Sequence, residues 1–185
     1  MKRTFLYILA ALLAASCKNS SVQNNKSEGD KPVITVTIEP LRYFTEAIAG
    51  DNFNVISMVP KGSSPETYDP TPQQLVDLAK SKAYFRIGYI GFEQTWMDKL
   101  TDNAPHLQFF DTSRGIDLIY DSSHAHHHHD ADEPHAHDSI QDDEHQHLLG
   151  VEPHVWSSAY NAQIIAGNIV NALCAIDKGN EEVYM

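Results

Sequence analysis

The amino-acid sequence predicts an α/β fold, a parallel sheet flanked by helices, and three observations carry that expectation. From Pro32 to Phe110, short apolar runs rich in β-formers alternate with helical patterns. The spacing follows the strand–helix–strand order that builds parallel sheets. Turn formers, Gly50, Pro60 and Gly88, stand where the runs end.

Val33–Ile38 is apolar and β-rich and reads as a buried strand. Leu41–Ala49 follows as a short helix, with Gly50 at the position a C-cap prefers. Asn54–Val59 is a second strand, stopped by Pro60, and a loop from Lys61 to Thr71 carries Gly, two Ser and two Pro. Pro72 opens a helix to about Ser81, with Leu75, Leu78 and Ala79 on one face. Ala83–Ile87 is a third strand, Phe92–Leu100 a helix and Leu107–Phe110 a fourth strand. In parallel sheets, ligands bind beyond the carboxyl ends of the strands. The 61–71 loop leaves one such end and is therefore a candidate site by position alone. Farther on, Ile165, Ile169, Leu173 and Ile176 recur at helical spacing, which predicts a helix from about Ser158 to Ile176 with Ser157 or Ser158 as N-cap. The final Glu-Glu-Val-Tyr-Met begins another helical pattern.

Outside this folded part, composition sets the organisation. Lys2 and Arg3 precede an apolar run, Phe5–Ala15, that is too short to span a membrane and reads as an export signal. The run ends in Ala14-Ala15-Ser16-Cys17, which resembles a bacterial lipobox in which Cys17 is lipidated, although Leu is commoner where Ala14 stands. Residues 18–31, rich in Ser, Asn and Lys, read as a flexible tether. Residues 32–120 form the lobe, and 121–147 read as a disordered His-rich insertion. Residues 148–157 complete the lobe, and 158–185 carry the start of a long helix. With Cys17 assigned to lipid, Cys174 has no disulfide partner and falls among apolar residues, where a buried, inert thiol is expected.

The formal net charge is −12, and no basic face is visible, which excludes a nucleic-acid role. The acidity is uneven: no Lys or Arg occurs between Arg114 and Lys178. Nine of the eleven histidines, His124, His126, His127, His128, His129, His135, His137, His145 and His147, crowd one acidic stretch there. Neutral imidazole suits Zn, Cu and Ni better than Mg, Ca or Mn, so this stretch points to transition-metal binding that weakens as protons compete. His154, in Glu152-Pro153-His154-Val155-Trp156, is a separate candidate ligand, with Trp156 expected to anchor the segment in the core. Glu66, in the loop Gly62–Pro72, is a third, a carboxylate expected near the cleft mouth. No HExxH motif, Ser-His-Asp or Cys-His arrangement or Gly-rich phosphate loop is present, and no catalytic residue is assigned.

Together these residues resemble the substrate-binding proteins of bacterial zinc and manganese ABC importers. The resemblance runs through Glu39-Pro40-Leu41, Gly50-Asp51, Val59-Pro60, the loop Gly62–Pro72, Gly91-Phe92-Glu93 before Trp96 and, most specifically, Glu152–Trp156. It implies two α/β lobes bridged by a long helix with metal between them, this chain supplying the N-terminal lobe and the start of the helix. It implies zinc as the transported ligand, manganese less so, because a His-rich acidic insertion before this segment is typical of zinc members. It further implies a monomer anchored through Cys17, facing the periplasm or cell exterior and delivering metal to an ABC permease. His154 matches the family's second metal-binding histidine, while Glu66 stands where the first usually follows the loop proline. The second lobe, implied to supply the remaining ligands, has no counterpart in the sequence, so a truncated half-protein is expected. Two other readings are a surface zinc buffer, in which the His-rich stretch does the binding, and a metal-dependent hydrolase.

Overall fold

The computed structural model describes residues 31–120 and 150–185. The export signal with Cys17, the tether up to Asp30 and the nine clustered histidines lie outside the described residues. In chain order the elements are β1 (Val33–Val36), α1 (Glu39–Ala49), β2 (Asn54–Ser57), α2 (Pro72–Leu78), β3 (Ala83–Arg86), α3 (Gly91–Asn103) and β4 (Gln108–Asp111). After residue 149 come a 3-10 turn (Val155–Ser157), α4 (Ala159–Ile176) and α5 (Glu181–Tyr184).

The four strands form one parallel sheet in the order β2-β1-β3-β4. Ile34 lies opposite Val55 on one side and Ala83 on the other, which sets the register of the central strands. Ile34, Val36, Ala83, Tyr84 and Phe85 are fully buried, as expected for strands covered on both faces. The first three strands end one or two residues earlier than their apolar runs. Beyond those ends, pairing continues as single bonds, from Thr37 N–H to Phe85 O (3.1 Å), Met58 N–H to Val36 O (2.8 Å) and Val59 N–H to Thr37 O (2.9 Å).

Helix α1 has Pro40 in its first turn, where a missing N–H costs nothing, and turns Leu41, Thr45 and Ala49 inward. Gly50 ends it at φ 55°, the left-handed region that favours glycine. Helices α2 and α3 are tied at their ends. Asn103 Nδ2 donates to Leu75 O (3.0 Å) and His106 Nε2–H to Ala79 O (2.8 Å), so His106 serves structure. Helix α4 docks on α1 through Ile165, Ile169, Ala172 and Leu173. The Ser158 hydroxyl accepts the Asn161 N–H at 3.4 Å and caps its start. Cys174 is half-buried against the core rather than enclosed.

Two expectations are corrected. Lys31, assigned to the tether, pairs with Asp51 at 3.0 Å. The helix expected from about Ser158 to Ile176 is present, but the bridging segment assigned to 158–185 is not one helix: it breaks at Asp177, whose φ of −142° leaves the helical region. The chain then turns through Lys178–Asn180 into α5. Tyr184 is buried there, donating its hydroxyl to Asp177 Oδ2 (2.6 Å) and accepting from Asn52 Nδ2 (3.2 Å). Asp177 also accepts from Asn180 Nδ2 (2.8 Å), so its side chain closes a local clasp over the break.

Candidate functional site

The strand order reverses direction between β1 and β3, the place where open α/β sheets usually receive ligands. Here a carboxylate of the protein itself occupies that crevice. Glu93, in the first turn of α3, is 2 % exposed and accepts the N–H of Ile87 (2.9 Å), the N–H of Gly88 and the Thr37 hydroxyl. Thr37 in turn hydrogen-bonds the buried Tyr84 hydroxyl at 2.8 Å. Burial pushes the Glu93 carboxyl above its ordinary value, while the Thr37, Ile87 and Gly88 donors pull against that rise. Residue types alone did not single out Glu93 as functional. The only local signal is an acid in the first helical turn, where the helix dipole favours it.

Above this crevice the loop bearing Glu66 is clamped at three points. Gln74 closes its two ends, donating from Nε2 to Met58 O (2.7 Å) and accepting at Oε1 from the Tyr68 hydroxyl (2.8 Å) and the Thr71 N–H (2.9 Å). The Gln74 backbone N–H in turn donates to the Thr71 hydroxyl oxygen (3.3 Å), completing a capping box for α2. The Trp96 indole N–H donates to Asp69 Oδ1 (3.1 Å), and the Phe92 N–H donates to Pro65 O (2.8 Å). Glu66 itself was expected at the cleft mouth as a ligand. Its Oε2 accepts the Gly91 N–H at 2.9 Å, so the carboxylate caps the first turn of α3.

His154 follows the segment that resumes at Gly150. Tyr120 and Val151 form an antiparallel bridge, and the Glu152 N–H donates to Ile119 O at 2.8 Å. The chain on either side of the His-rich stretch is thus drawn together beside His154. The imidazole is largely exposed, its side chain 62 % accessible, and meets Trp156 edge-on at 5.2 Å between ring centres. Trp156 is half-buried against the core and anchors the segment as expected. His154 lines a pocket of about 410 Å³ with Asp117, Ile119, Glu152, Val155, Ser157, Ser158 and Asn161. Asn161 Nδ2 holds Val155 O at 3.0 Å, and Asn168 Nδ2 holds Thr112 O and Arg114 O at 2.9 and 2.8 Å, so α4 ties down chain that precedes residue 121 as well as chain that follows residue 149. His154 Nδ1 lies 2.6 Å from Glu152 Oε1.

Glu66 does not line the pocket of His154. Among the described residues, no three His, Cys, Asp or Glu side chains gather closely enough to hold a metal ion. What the lobe presents is one accessible imidazole at a pocket and one carboxylate engaged at a helix start.

Comparison with known proteins fits this architecture. The profile of the family described as zinc-uptake complex component A periplasmic, ZnuA, matches residues 34–185. The high-affinity zinc uptake system protein ZnuA of Bacillus subtilis is 30 % identical over 184 residues, spanning 97 % of this chain and 54 % of that protein. The manganese ABC transporter substrate-binding lipoprotein PsaA of Streptococcus pneumoniae is 31 % identical, across 97 % of this chain and 52 % of that protein. The iron ABC transporter substrate-binding lipoprotein MtsA of Streptococcus pyogenes serotype M1 is 31 % identical, across 95 % and 51 %. A zinc-bound crystal structure of a ZnuA lacking residues 138–173 superposes with a TM-score of 0.66 at 32 % identity, over 84 % of this chain and 50 % of that one. The chain spans about half the length of the relatives it matches. With the four-stranded parallel lobe and a profile match over residues 34–185, the chain belongs to the ZnuA family of periplasmic metal-uptake components.

Proposed function

We propose that this chain takes part in extracytoplasmic capture of zinc, as part of a substrate-binding lipoprotein that delivers the metal to a membrane ABC permease. The observation that carries the reading is His154, an accessible imidazole at the rim of a pocket beside the residues that flank the His-rich stretch. The role of substrate-binding component comes from relatives whose names include zinc, manganese and iron transport. Zinc is favoured by the ligand chemistry: imidazole-rich surroundings suit it better than manganese. His154 is the principal protein ligand in this reading, and Glu66 is a second, harder ligand that must share or release its bond to Gly91. Zinc takes about four ligands in a tetrahedron, so groups beyond these two complete the shell. The nine histidines from His124 to His147 are secondary sites that raise the local metal concentration, and lipid on Cys17 holds the protein at the membrane.

A second reading is favoured by the lack of three converging ligands among the described residues. In it, the His-rich stretch does the binding and the lobe displays it as a surface zinc buffer. Zinc titration against a competing chelator decides between them, using chains with and without residues 121–147 and the His154→Ala variant. One tight equivalent that survives deletion of 121–147 and disappears in His154→Ala supports capture by the cleft. Loss of all binding with that stretch overturns capture by His154 in this chain.

A further inference from the structure

We infer that Glu152 is a positioning residue for His154, fixing its imidazole as the Nδ1–H tautomer so that Nε2 is the metal-ligating atom. The inference rests on the reading of His154 as a ligand. An ionised carboxylate can only accept hydrogen bonds, so the 2.6 Å contact between Glu152 Oε1 and His154 Nδ1 requires a proton on Nδ1. In a neutral imidazole the other nitrogen then carries the lone pair. Nε2 sits across the ring from Nδ1 and is the atom left to meet a cation.

The geometry is specific to orientation as well as to the proton. The same Glu152 oxygen accepts the His154 backbone N–H at 3.1 Å, so ring and main chain are both referenced to one atom. Pro153 between the two residues has no N–H to compete for that oxygen, and its ring restricts the backbone of Glu152 to extended conformations. The Glu152 backbone is itself pinned to Ile119 by the 2.8 Å bond across the Tyr120–Val151 bridge. Trp156 packs edge-on against the ring, 5.2 Å between centres, and limits its rotation. Carboxylates that hold the distal nitrogen of a metal-bound histidine orient it and raise its basicity, and their loss typically weakens metal affinity tenfold to a hundredfold.

The test uses the full chain with ¹⁵N-labelled histidine rings, the His154 signals being those missing from His154→Ala. Without metal, the long-range ¹H–¹⁵N pattern of His154 should show Nδ1 protonated and Nε2 bare, and zinc should move Nε2 alone. In Glu152→Ala the ring should shift toward the Nε2–H form, and zinc affinity, read by chelator competition, should fall tenfold to a hundredfold. Glu152→Gln, which keeps a carbonyl acceptor, should retain the Nδ1–H form and recover part of that affinity. If His154→Ala abolishes the tight equivalent while Glu152→Ala leaves tautomer and affinity unchanged, the positioning role is overturned and the reading of His154 stands. If zinc displaces the Nδ1 proton, the assignment of Nε2 as the ligating atom is overturned. If His154→Ala leaves tight binding intact, the reading of His154 falls and the inference falls with it, whichever tautomer is found.

Discussion

At the scale of single residues, the lobe depends on groups placed against one another with little tolerance. A Cβ on Gly91 would lie 2.6 Å from Glu66 Oε2, 2.7 Å from Glu66 O and 3.1 Å from Glu66 Cα. The carboxylate end can swing away, but the main-chain atoms cannot. Gly91→Ala should therefore lower stability by about 1–3 kcal/mol, read as a drop in urea midpoint, and free the Glu66 carboxylate from its cap. Glu93 makes a prediction about pH. Burial raises its folded pKa above the unfolded value, so its stabilising contribution is complete below the ordinary Glu pKa of about 4.3 and is lost as pH rises through the raised value. Glu93→Gln leaves at least one of three donors facing an amide N–H₂ and should be less stable than wild type. The gap should be widest at acid pH and narrow as pH rises, and urea midpoints taken across that range for both chains check the sign.

The elements hold the functional loop by their ends. Helix α2 is two turns long, too short to persist alone, and its capping box serves both the helix and the Glu66 loop that precedes it. Thr71→Ala should cost about 1 kcal/mol in unfolding experiments. Gln74→Ala should cost more than that, because Gln74 also joins Met58 to Tyr68 across the loop. The end of α4 shows the opposite device, a helix stopped by a side-chain clasp. Burial and the Asp177 carboxylate push the Tyr184 hydroxyl up to about 12, so it remains a donor at any physiological pH. Tyr184→Phe should cost about 1.5–3 kcal/mol, the range for a bond to a charged acceptor, with the earliest rise in hydrogen exchange in the amides of α5.

For the whole molecule, the decisive property is how metal binding couples to the folded state. A ligand that binds only the native chain stabilises it by about 2.7 kcal/mol at a free concentration 100 times its Kd. Zinc should accordingly raise the melting temperature of the wild-type chain, chelation should reverse the rise, and His154→Ala should remove the part that survives deletion of 121–147. Relatives that transport zinc, manganese and iron resemble this chain equally well, at 29–31 % identity. Metal choice therefore rests on ligands, not on the lobe. If Glu66 ligates as proposed, its carboxylate is a harder donor than an imidazole, and a comparison of zinc with manganese in the same titration measures its consequence.

Much of the fold was legible because it follows from short-range chemistry. Apolar runs of β-formers, Pro72 at a helix start and Gly50 at a helix end act within a few residues of themselves, and the parallel sheet follows from their order. In Glu152–Trp156 the core anchor Trp156 was legible, while the contact of carboxylate and imidazole two residues apart emerged only in the structure. Tertiary structure alone decided the rest. That Glu66 would meet Gly91, 25 residues away, and that Glu93 would fill the crevice between β1 and β3, depends on where the chain's turns bring distant backbone N–H groups. The break at Asp177 likewise depends on a tyrosine finding Asn52 across 132 residues of chain. Residue chemistry along the chain was enough to name the candidate metal ligands. The three-dimensional packing decided which of them are held by the protein's own donors, like Glu66, and which are left largely exposed, like the His154 imidazole, because hydrogen-bond partners are assigned by proximity in space and not along the chain.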